Sequence, residues 1–362
     1  MSHASIASEI TDRSATAATA HSINESSAAL IRRWMVASAL CVVLTLVIGG
    51  VTRLTESGLS ITEWKPVTGV LPPWSAASWN TAFERYLQIP EAQTVHRGIT
   101  LHQFQVLFWW EWAHRMVARV AGLVIAVPFL MLLAAGRIPR ALRARLVALP
   151  VLTGAQGALG WYMVSSGLSL RTDVSQYRLV AHLGLALCIY VIAVWTALMV
   201  GVRHRRDGGP PWHRGAAAVA VLAFVTVLSG GFVAGLDAGR IFNTFPLMGS
   251  RLIPPGYLQL APVWRNLFEN AAAAQFNHRL LATITLLTVV AVTAWQRRER
   301  GDLSPPFGLM AATVALQVSL GIATLLLHVP VAIAALHQLG AVALLTAALW
   351  ATARGHSAQS SA

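Results

Sequence analysis

Four histidines lie inside long apolar segments of the chain, where an ionisable side chain is costly and usually functional. In chain order they are His114, His182, His278 and His337. Each lies about five to eight residues from the end of its segment, a common depth of roughly 10 Å at about 1.5 Å per helical residue. Two imidazoles facing each other at one depth are how helices hold a bis-histidine haem. The pattern therefore predicts two haem sites; alternatively, each histidine bonds to a hydroxyl or carbonyl of a neighbouring helix.

The residue three positions before the histidine differs between the two predicted sites. It is Glu111 before His114 and Gln275 before His278, and an i, i+3 spacing places both residues of a pair on one helix face. A titratable carboxylate at one site only predicts that the first site does chemistry and the second transfers electrons. We expect Glu111 to have partial access to water from the adjoining loop. The alternative is an interfacial carboxylate paired with an arginine of its own helix, such as Arg115.

Other residue types with metal or anion chemistry add little. Arg115 and Arg279 each follow a histidine and are candidate contacts for haem propionates as well as anchors at the membrane interface. A zinc site would need a third or fourth ligand in the same layer, and the sequence offers none there. Cys41 and Cys188 lie in apolar runs without a CxxC or metal-binding spacing, so we predict that both are small buried side chains.

The composition predicts a membrane protein. Hydrophobic residues make up 56% of the 362 residues and charged residues only 11%, against about 25% charged in soluble domains. A net charge of +13 would suit nucleic acid, but beside long apolar runs it is better explained by arginines in membrane loops, and no nucleic-acid partner is predicted. Eight stretches can cross a ~30 Å hydrocarbon core, at about 35–54, 107–134, 144–164, 178–201, 216–235, 273–295, 306–327 and 331–352.

The eight spans divide into two similar sets of four. In each set the first span holds a glycine pair (49–50 and 230–231), the second and fourth hold a histidine, and the third holds Q-x-x-L-G (156–160 and 317–321). Four crossings per copy make this a parallel repeat. We expect the glycines to let the backbone approach a flat ligand, or to allow close helix packing.

The repeat predicts an all-α polytopic membrane protein built from two pseudo-symmetric four-helix bundles. The predicted organisation is a disordered N-terminal tail (1–30), an N-terminal bundle with the reactive site (31–201), a linker (202–215), a C-terminal bundle (216–353) and a C-terminal tail (354–362). Arginines cluster before the first span and after the second, fourth and sixth, which places both termini in the cytoplasm. Two long loops, 55–106 and 236–272, then face the other side of the membrane.

Several motifs resemble those of a known family, the haem A synthases. They are Thr52-Arg53-Leu54-Thr55-Glu56-Ser57-Gly58-Leu59-Ser60 with Trp64-Lys65-Pro66, Glu111-x-x-His114-Arg115, Phe242-Asn243-Thr244-Phe245-Pro246-Leu247-Met248, and the four helical histidines. The resemblance covers about residues 30–352. Neither outer loop contains a cysteine, which is similar to the subgroup shared by proteobacteria and mitochondria.

The resemblance implies an inner-membrane oxidoreductase of haem biosynthesis. Its substrate would be haem O, whose C8 methyl group is oxidised to the formyl group of haem A by successive hydroxylations. It further implies that His278 and His337 bind a resident haem b, and that His114 and His182 bind haem O with Glu111 close to the methyl group. Membrane lipid, haem O synthase and an unidentified electron acceptor are the implied partners, and a homo-oligomer stays open.

Two other functions use some of the same features. A di-haem cytochrome b electron carrier would use the four histidines, but it has no need of the Glu111/Gln275 difference, and its haems would normally lie at different depths. A transporter would suit an internal repeat, but the repeats are parallel and no acidic relay lies at mid-membrane.

Overall fold

The protein is described here by a computed structural model that covers residues 25–168, 171–202 and 209–356. Within these ranges, eight helices are long and apolar enough to cross a membrane, which confirms the predicted all-α polytopic fold. In chain order they are α1 (Glu25–Leu54), α2 (Leu101–Ala134), α3 (Arg143–Val164), α4 (Gln176–Met199), α5 (Trp212–Gly235), α6 (Ala271–Arg300), α7 (Pro305–Leu326) and α8 (Val331–His356).

Two helices begin earlier than the apolar pattern predicts. Helix α2 begins at Leu101 because Thr100 and Gln103 form a capping box, in which each side chain accepts a hydrogen bond from the other's backbone N–H. Hydropathy marks only the part of a helix that lies in the hydrocarbon, whereas capping residues mark its start. Helix α1 begins at Glu25, so residues 25–30 of the predicted disordered tail are helical.

The remaining tail and linker predictions fall partly outside the described residues. These are residues 1–24 of the N-terminal tail, 203–208 of the linker and 357–362 of the C-terminal tail. The division into two pseudo-symmetric domains, one with the reactive site, stays a prediction.

The helices pack as two groups of four that share one core. Within the groups α1 contacts α2 and α4, and α5 contacts α6 and α8; between them α4 packs on α5 and α1 on α8. Buried side chains from all eight helices form one continuous cluster, which includes Met35, Leu187, Val219 and Leu345. Alanines are frequent where α4, α5 and α8 meet, as expected where lipid supplies no hydrophobic force and helices associate by close packing.

The first outer loop, which in the structure joins α1 to α2 through residues 55–100, has a small core of its own. It contains two short helices, Ala76–Tyr86 and Pro90–Thr94, whose side chains pack with Leu59, Phe104 and Phe108. Helix α2 fixes the start of the loop, because the Arg119 guanidinium donates to the carbonyls of Lys65 and Pro66, both at 3.0 Å. The loop is therefore held down over the outer end of the first helix group.

Glu91 is a buried acid within this loop. Its side chain belongs to a residue only 4% exposed, and Oε2 has no hydrogen-bond partner. Burial, together with neighbouring carboxylates, raises the pKa of this carboxyl from 4.5 to about 8, against a smaller lowering by Arg53. The folded loop thus binds a proton that the unfolded chain releases, so its stability falls as the pH rises from about 4.5 to about 8.

Replacing Glu91 with glutamine is expected to remove most of this pH dependence, because an amide does not ionise. This dependence is measured by the rate of proteolysis within residues 55–106 of the detergent-solubilised protein, divided by the cleavage rate of an unfolded peptide at the same pH. The parent should be cleaved faster at pH 9 than at pH 6, and Glu91→Gln should be cleaved about equally at both. Glu84→Gln, at an exposed site in the same loop, should behave as the parent. The same pH ratio in parent and Glu91→Gln would refute the assignment.

Candidate functional site

Each of the four helical histidines lies against a glycine of a neighbouring helix. A Cβ atom added to the glycine would come within 2.7–3.1 Å of the imidazole Cε1, closer than nine in ten real Cβ contacts. We call these residues the seat glycines; the pairs are Gly49–His114, Gly160–His182, Gly230–His278 and Gly321–His337. The four pairs join α1 to α2, α3 to α4, α5 to α6 and α7 to α8.

In the glycine pairs 49–50 and 230–231, the second glycine has a different role from the first. A Cβ at Gly50 would collide with the side-chain amide of Gln338 on α8, and one at Gly231 would meet Val180 and Leu183 on α4. Gln338 also donates a hydrogen bond to the Leu46 carbonyl at 2.8 Å. Of the two expectations for the glycine pairs, close packing therefore applies: one glycine packs against an imidazole and the other against the opposite helix group.

His278 and His337 face each other with a spacing that suits a haem iron. Their ring centroids are 6.4 Å apart and the ring planes cross at 89°. Imidazole nitrogens bind first-row metals at about 2 Å, so two rings on opposite sides of one metal have centroids about 6 Å apart. The donor set and the spacing thus fit a bis-histidine iron.

Hydrogen bonds at Nδ1 fix both of these rings. Ser229 gives its only hydroxyl hydrogen to the Thr226 carbonyl at 2.7 Å, so its oxygen must accept from Nδ1 of His278, 2.8 Å away. Nδ1 of His337 donates to the Gln317 carbonyl at 3.2 Å. Both rings therefore carry their proton on Nδ1 and keep the Nε2 lone pair for a metal.

His114 and His182 form the second pair with fewer polar partners. His182 is close enough to His114 for their charges to interact, but Nδ1 of each ring is buried without a hydrogen-bond partner. The side-chain amide of Gln156 instead approaches Nε2 of His182 at 3.3 Å and donates to the His182 carbonyl at 3.0 Å. Across the described residues no group of three or more metal-ligating side chains occurs.

Glu111 is buried beside the first pair and is fully hydrogen-bonded. It is 2% exposed. Oε2 accepts from the Ser60 hydroxyl and the Ile61 backbone N–H, both at 2.7 Å, and Oε1 accepts from Arg115 at 2.6 and 3.1 Å. The expected partial access to water is wrong, because the first outer loop folds over the carboxylate. The pairing with Arg115, left as an alternative, is present together with two donors from the loop.

The two arginines predicted to contact propionates bind outer-loop carbonyls. Arg115 donates to Ile61 at 2.8 Å and to Glu63 at 3.1 Å, and Arg279 donates to Phe242 at 2.8 Å and to Thr244 at 3.0 Å. Each arginine thus ties a loop to its helix beside a histidine. A contact with propionates stays a prediction.

Gln275 takes the place of Glu111 at the second pair. It is buried, and its amide donates to the Phe242 carbonyl at 3.2 Å. The first pair therefore has the Glu111–Arg115 ion pair on its helix. The second has a neutral amide with Arg279, for which no ion pair is found among the described residues.

Residues that the sequence analysis did not single out complete the site. Ser60 belongs to a quoted motif, but its contact with Glu111 joins residues 51 positions apart and has no signal in spacing. Ser229 does have a signal in the sequence, because it directly precedes the seat glycine Gly230, whereas Ile48 holds the corresponding position in the first half. Arg53, at the end of α1, donates to Asp237 beyond α5 at 2.8 Å, which joins the two helix groups at the outer face.

Comparison with known proteins gives consistent similarities. The family model described as COX15-CtaA, cytochrome oxidase assembly protein, matches residues 32–349. Proteins named heme A synthase are similar over most of both chains. They include those of Parvibaculum lavamentivorans (46% identical, 88% of this chain and 92% of the relative), Maricaulis maris (45%, 92% and 98%) and Rhodospirillum centenum (47%, 88% and 86%). The matched range contains both histidine pairs and Glu111.

Proposed function

Because this chain belongs to the haem A synthase family of cytochrome oxidase assembly proteins, we propose that it oxidises the C8 methyl group of haem O to the formyl group of haem A. The observation that carries this proposal is the unequal surroundings of two similar histidine pairs. One pair has rings fixed by hydrogen bonds and a neutral neighbour, which suits a permanent electron-transfer cofactor. The other has looser rings and a buried carboxylate, which suits a substrate that reacts and leaves.

In this assignment His278 and His337 bind haem b, and His114 and His182 bind haem O. Their 6.4 Å centroid spacing and the Nδ1-protonated forms support the first half of the assignment. Bound haem b supplies a one-electron acceptor next to the substrate site. An external acceptor then removes the electrons from the protein.

A substrate iron with two histidine ligands has no open position for dioxygen, so oxidation proceeds by electron withdrawal and addition of water at the methyl group. The first hydroxylation converts –CH₃ and H₂O into –CH₂OH, two protons and two electrons. The second gives a hydrated aldehyde, which loses water to form the formyl group. Each step builds positive charge at the ring edge before water adds.

Glu111 stabilises that charge rather than accepting a proton. A carboxylate has about four acceptor positions, and Ser60, Ile61 and Arg115 already occupy four with their donors. The fixed, buried negative charge acts strongly because the surroundings have a low dielectric constant. The hydrogen bonds therefore favour a charge-stabilising role for Glu111 over a proton-accepting one.

The membrane placement follows from the arginine distribution. We place the protein in the inner membrane. Both termini then lie in the cytoplasm, because arginines cluster before α1 and in the loops after α2, α4 and α6, and arginine-rich loops stay on the cytoplasmic side. Both histidine pairs then lie toward the outer side, where the two long loops cover them. Haem O synthase supplies the substrate, and the lipid accommodates its apolar tail.

Extraction of the pigments from purified protein tests this function. The protein is made in cells that also produce haem O, and its pigments are separated by chromatography after acid–acetone extraction. Haem b together with haem O or haem A is the expected result. Two equivalents of haem b and nothing else would indicate the di-haem electron carrier instead, and a protein without haem would exclude both.

A further inference from the structure

We propose that the polar partners of the imidazoles decide which histidine pair keeps its haem. Ser229 and the Gln317 carbonyl make the C-terminal pair a permanent site, whereas Ile48 and Gln156 make the N-terminal pair a site that releases its haem. The proposal rests on the proposed function, because only a synthase needs one resident haem and one that leaves after each turnover.

The first difference lies on the helix turn that carries the seat glycine. Ser229 precedes Gly230 and accepts the Nδ1 hydrogen of His278 at 2.8 Å, so one turn of α5 both packs against the ring and fixes its rotation. Ile48 precedes Gly49 in α1 and has no acceptor to offer. A threonine carbonyl interacts with the ring in both halves, Thr45 at His114 and Thr226 at His278, so this contact does not distinguish them. The serine is therefore the difference.

The second difference concerns the glutamine of the Q-x-x-L-G motif. Gly340 leaves space on α8 for the Gln317 side chain, since a Cβ there would collide with its amide oxygen. Leu185 holds the corresponding position on α4. In the first half the Gln156 amide instead lies 3.3 Å from Nε2 of His182. A metal that binds this nitrogen must displace the amide, and the amide can return when the metal leaves.

Both differences lower haem affinity in the first half only. Hydrogen bonds to the outer nitrogen of a metal-bound imidazole typically change metal affinity about 10- to 100-fold. The first pair has no counterpart of the Ser229 oxygen or of the Gln317 carbonyl at Nδ1, and it also loses the Gln156 contact when the metal arrives. The same four histidines thus give one tight and one exchangeable site without any change of ligand type.

Transfer of haem b to excess apomyoglobin tests the proposal without turnover. Purified protein loaded at both sites with haem b should lose it in two phases, a fast one from the first pair and a slow one from the second. Ile48→Ser should slow the fast phase about 10-fold or more, whereas Ile48→Val, without a hydroxyl, should leave it unchanged. Ser229→Ala should accelerate the slow phase about 10- to 100-fold, and Ser229→Thr, which keeps the hydroxyl, should restore it.

Gln156→Leu separates this role from a structural one. If Gln156 only supported the fold, its loss would loosen the first haem; the proposal expects slower haem loss, because the competing amide is gone. Equal loss rates at the two sites of the parent, or an unchanged fast phase in both Ile48→Ser and Gln156→Leu, would refute the proposal even if the protein makes haem A. Failure to make haem A with two distinct phases would instead refute the proposed function alone.

Discussion

Glu111→Gln is expected to lower the conversion of haem O to haem A by at least about 100-fold, the scale of losing one electrostatic or acid–base group. The fold should survive, because the second half already has Gln275 in this position beside Arg279. In the variant Arg115 keeps its bonds to the carbonyls of Ile61 and Glu63, as Arg279 does with its loop. Haem b should also stay bound, since its ligands are on other helices.

Pigment chromatography together with the haem b content measures this result, and a hydroxylated intermediate should accumulate if the second oxidation is slowed more than the first. Glu63→Gln is the matched control, because Glu63 lies in the same loop but its carboxylate pairs with Lys65 and Arg85 near the surface. It should convert haem O at close to the parental rate. Should Glu111→Gln do so too, Glu111 only ties the loop down, and His96 and His102 in that loop become the next candidates.

Replacing His278 or His337 with alanine should remove most of the haem b and its low-spin absorbance. Loss of one axial ligand breaks the bis-histidine coordination that the 6.4 Å ring spacing fits. The spectrum and the haem-to-protein ratio of the purified variants measure the effect. His114→Ala and His182→Ala are the matched controls, since they remove equivalent histidines from the other pair and should retain haem b. Full haem b in both His278→Ala and His337→Ala would mean that the ligands are assigned wrongly.

The sequence predicted most of the fold because membrane helices are specified by local composition. Long apolar runs located all eight helices, and arginines marked one set of loops. The helix starts were less well predicted, since Thr100 and Gln103 extend α2 beyond its apolar part. A single shared core was not predicted either, because two similar sets of spans give no information on how closely they pack.

The pairing of the four histidines was predicted, but their surroundings were not, and their role as ligands stays a prediction. A histidine within an apolar segment is conspicuous, and an i, i+3 spacing puts Glu111 and His114 on one face of their helix. Its burial depends on Ser60 and Ile61, which reach it only after the loop folds back across some fifty residues. The glycines were expected to face a flat ligand or to allow close helix packing, and the seat glycines pack against imidazoles. Which of two glycines contacts a ring depends on helix rotation, and a periodic pattern does not specify it.

The seat glycines also constrain how such a chain can evolve. Each of the four histidines packs against a position without a side chain on another helix, at Gly49, Gly160, Gly230 or Gly321. A side chain added at any of these seats crowds the imidazole, so we expect such a change to need a compensating change on the partner helix. Positions such as Ile48 and Ser229, one residue away, are free of this coupling. We therefore expect the two halves to diverge at positions next to the seat glycines, whereas the glycines and the histidines themselves stay fixed.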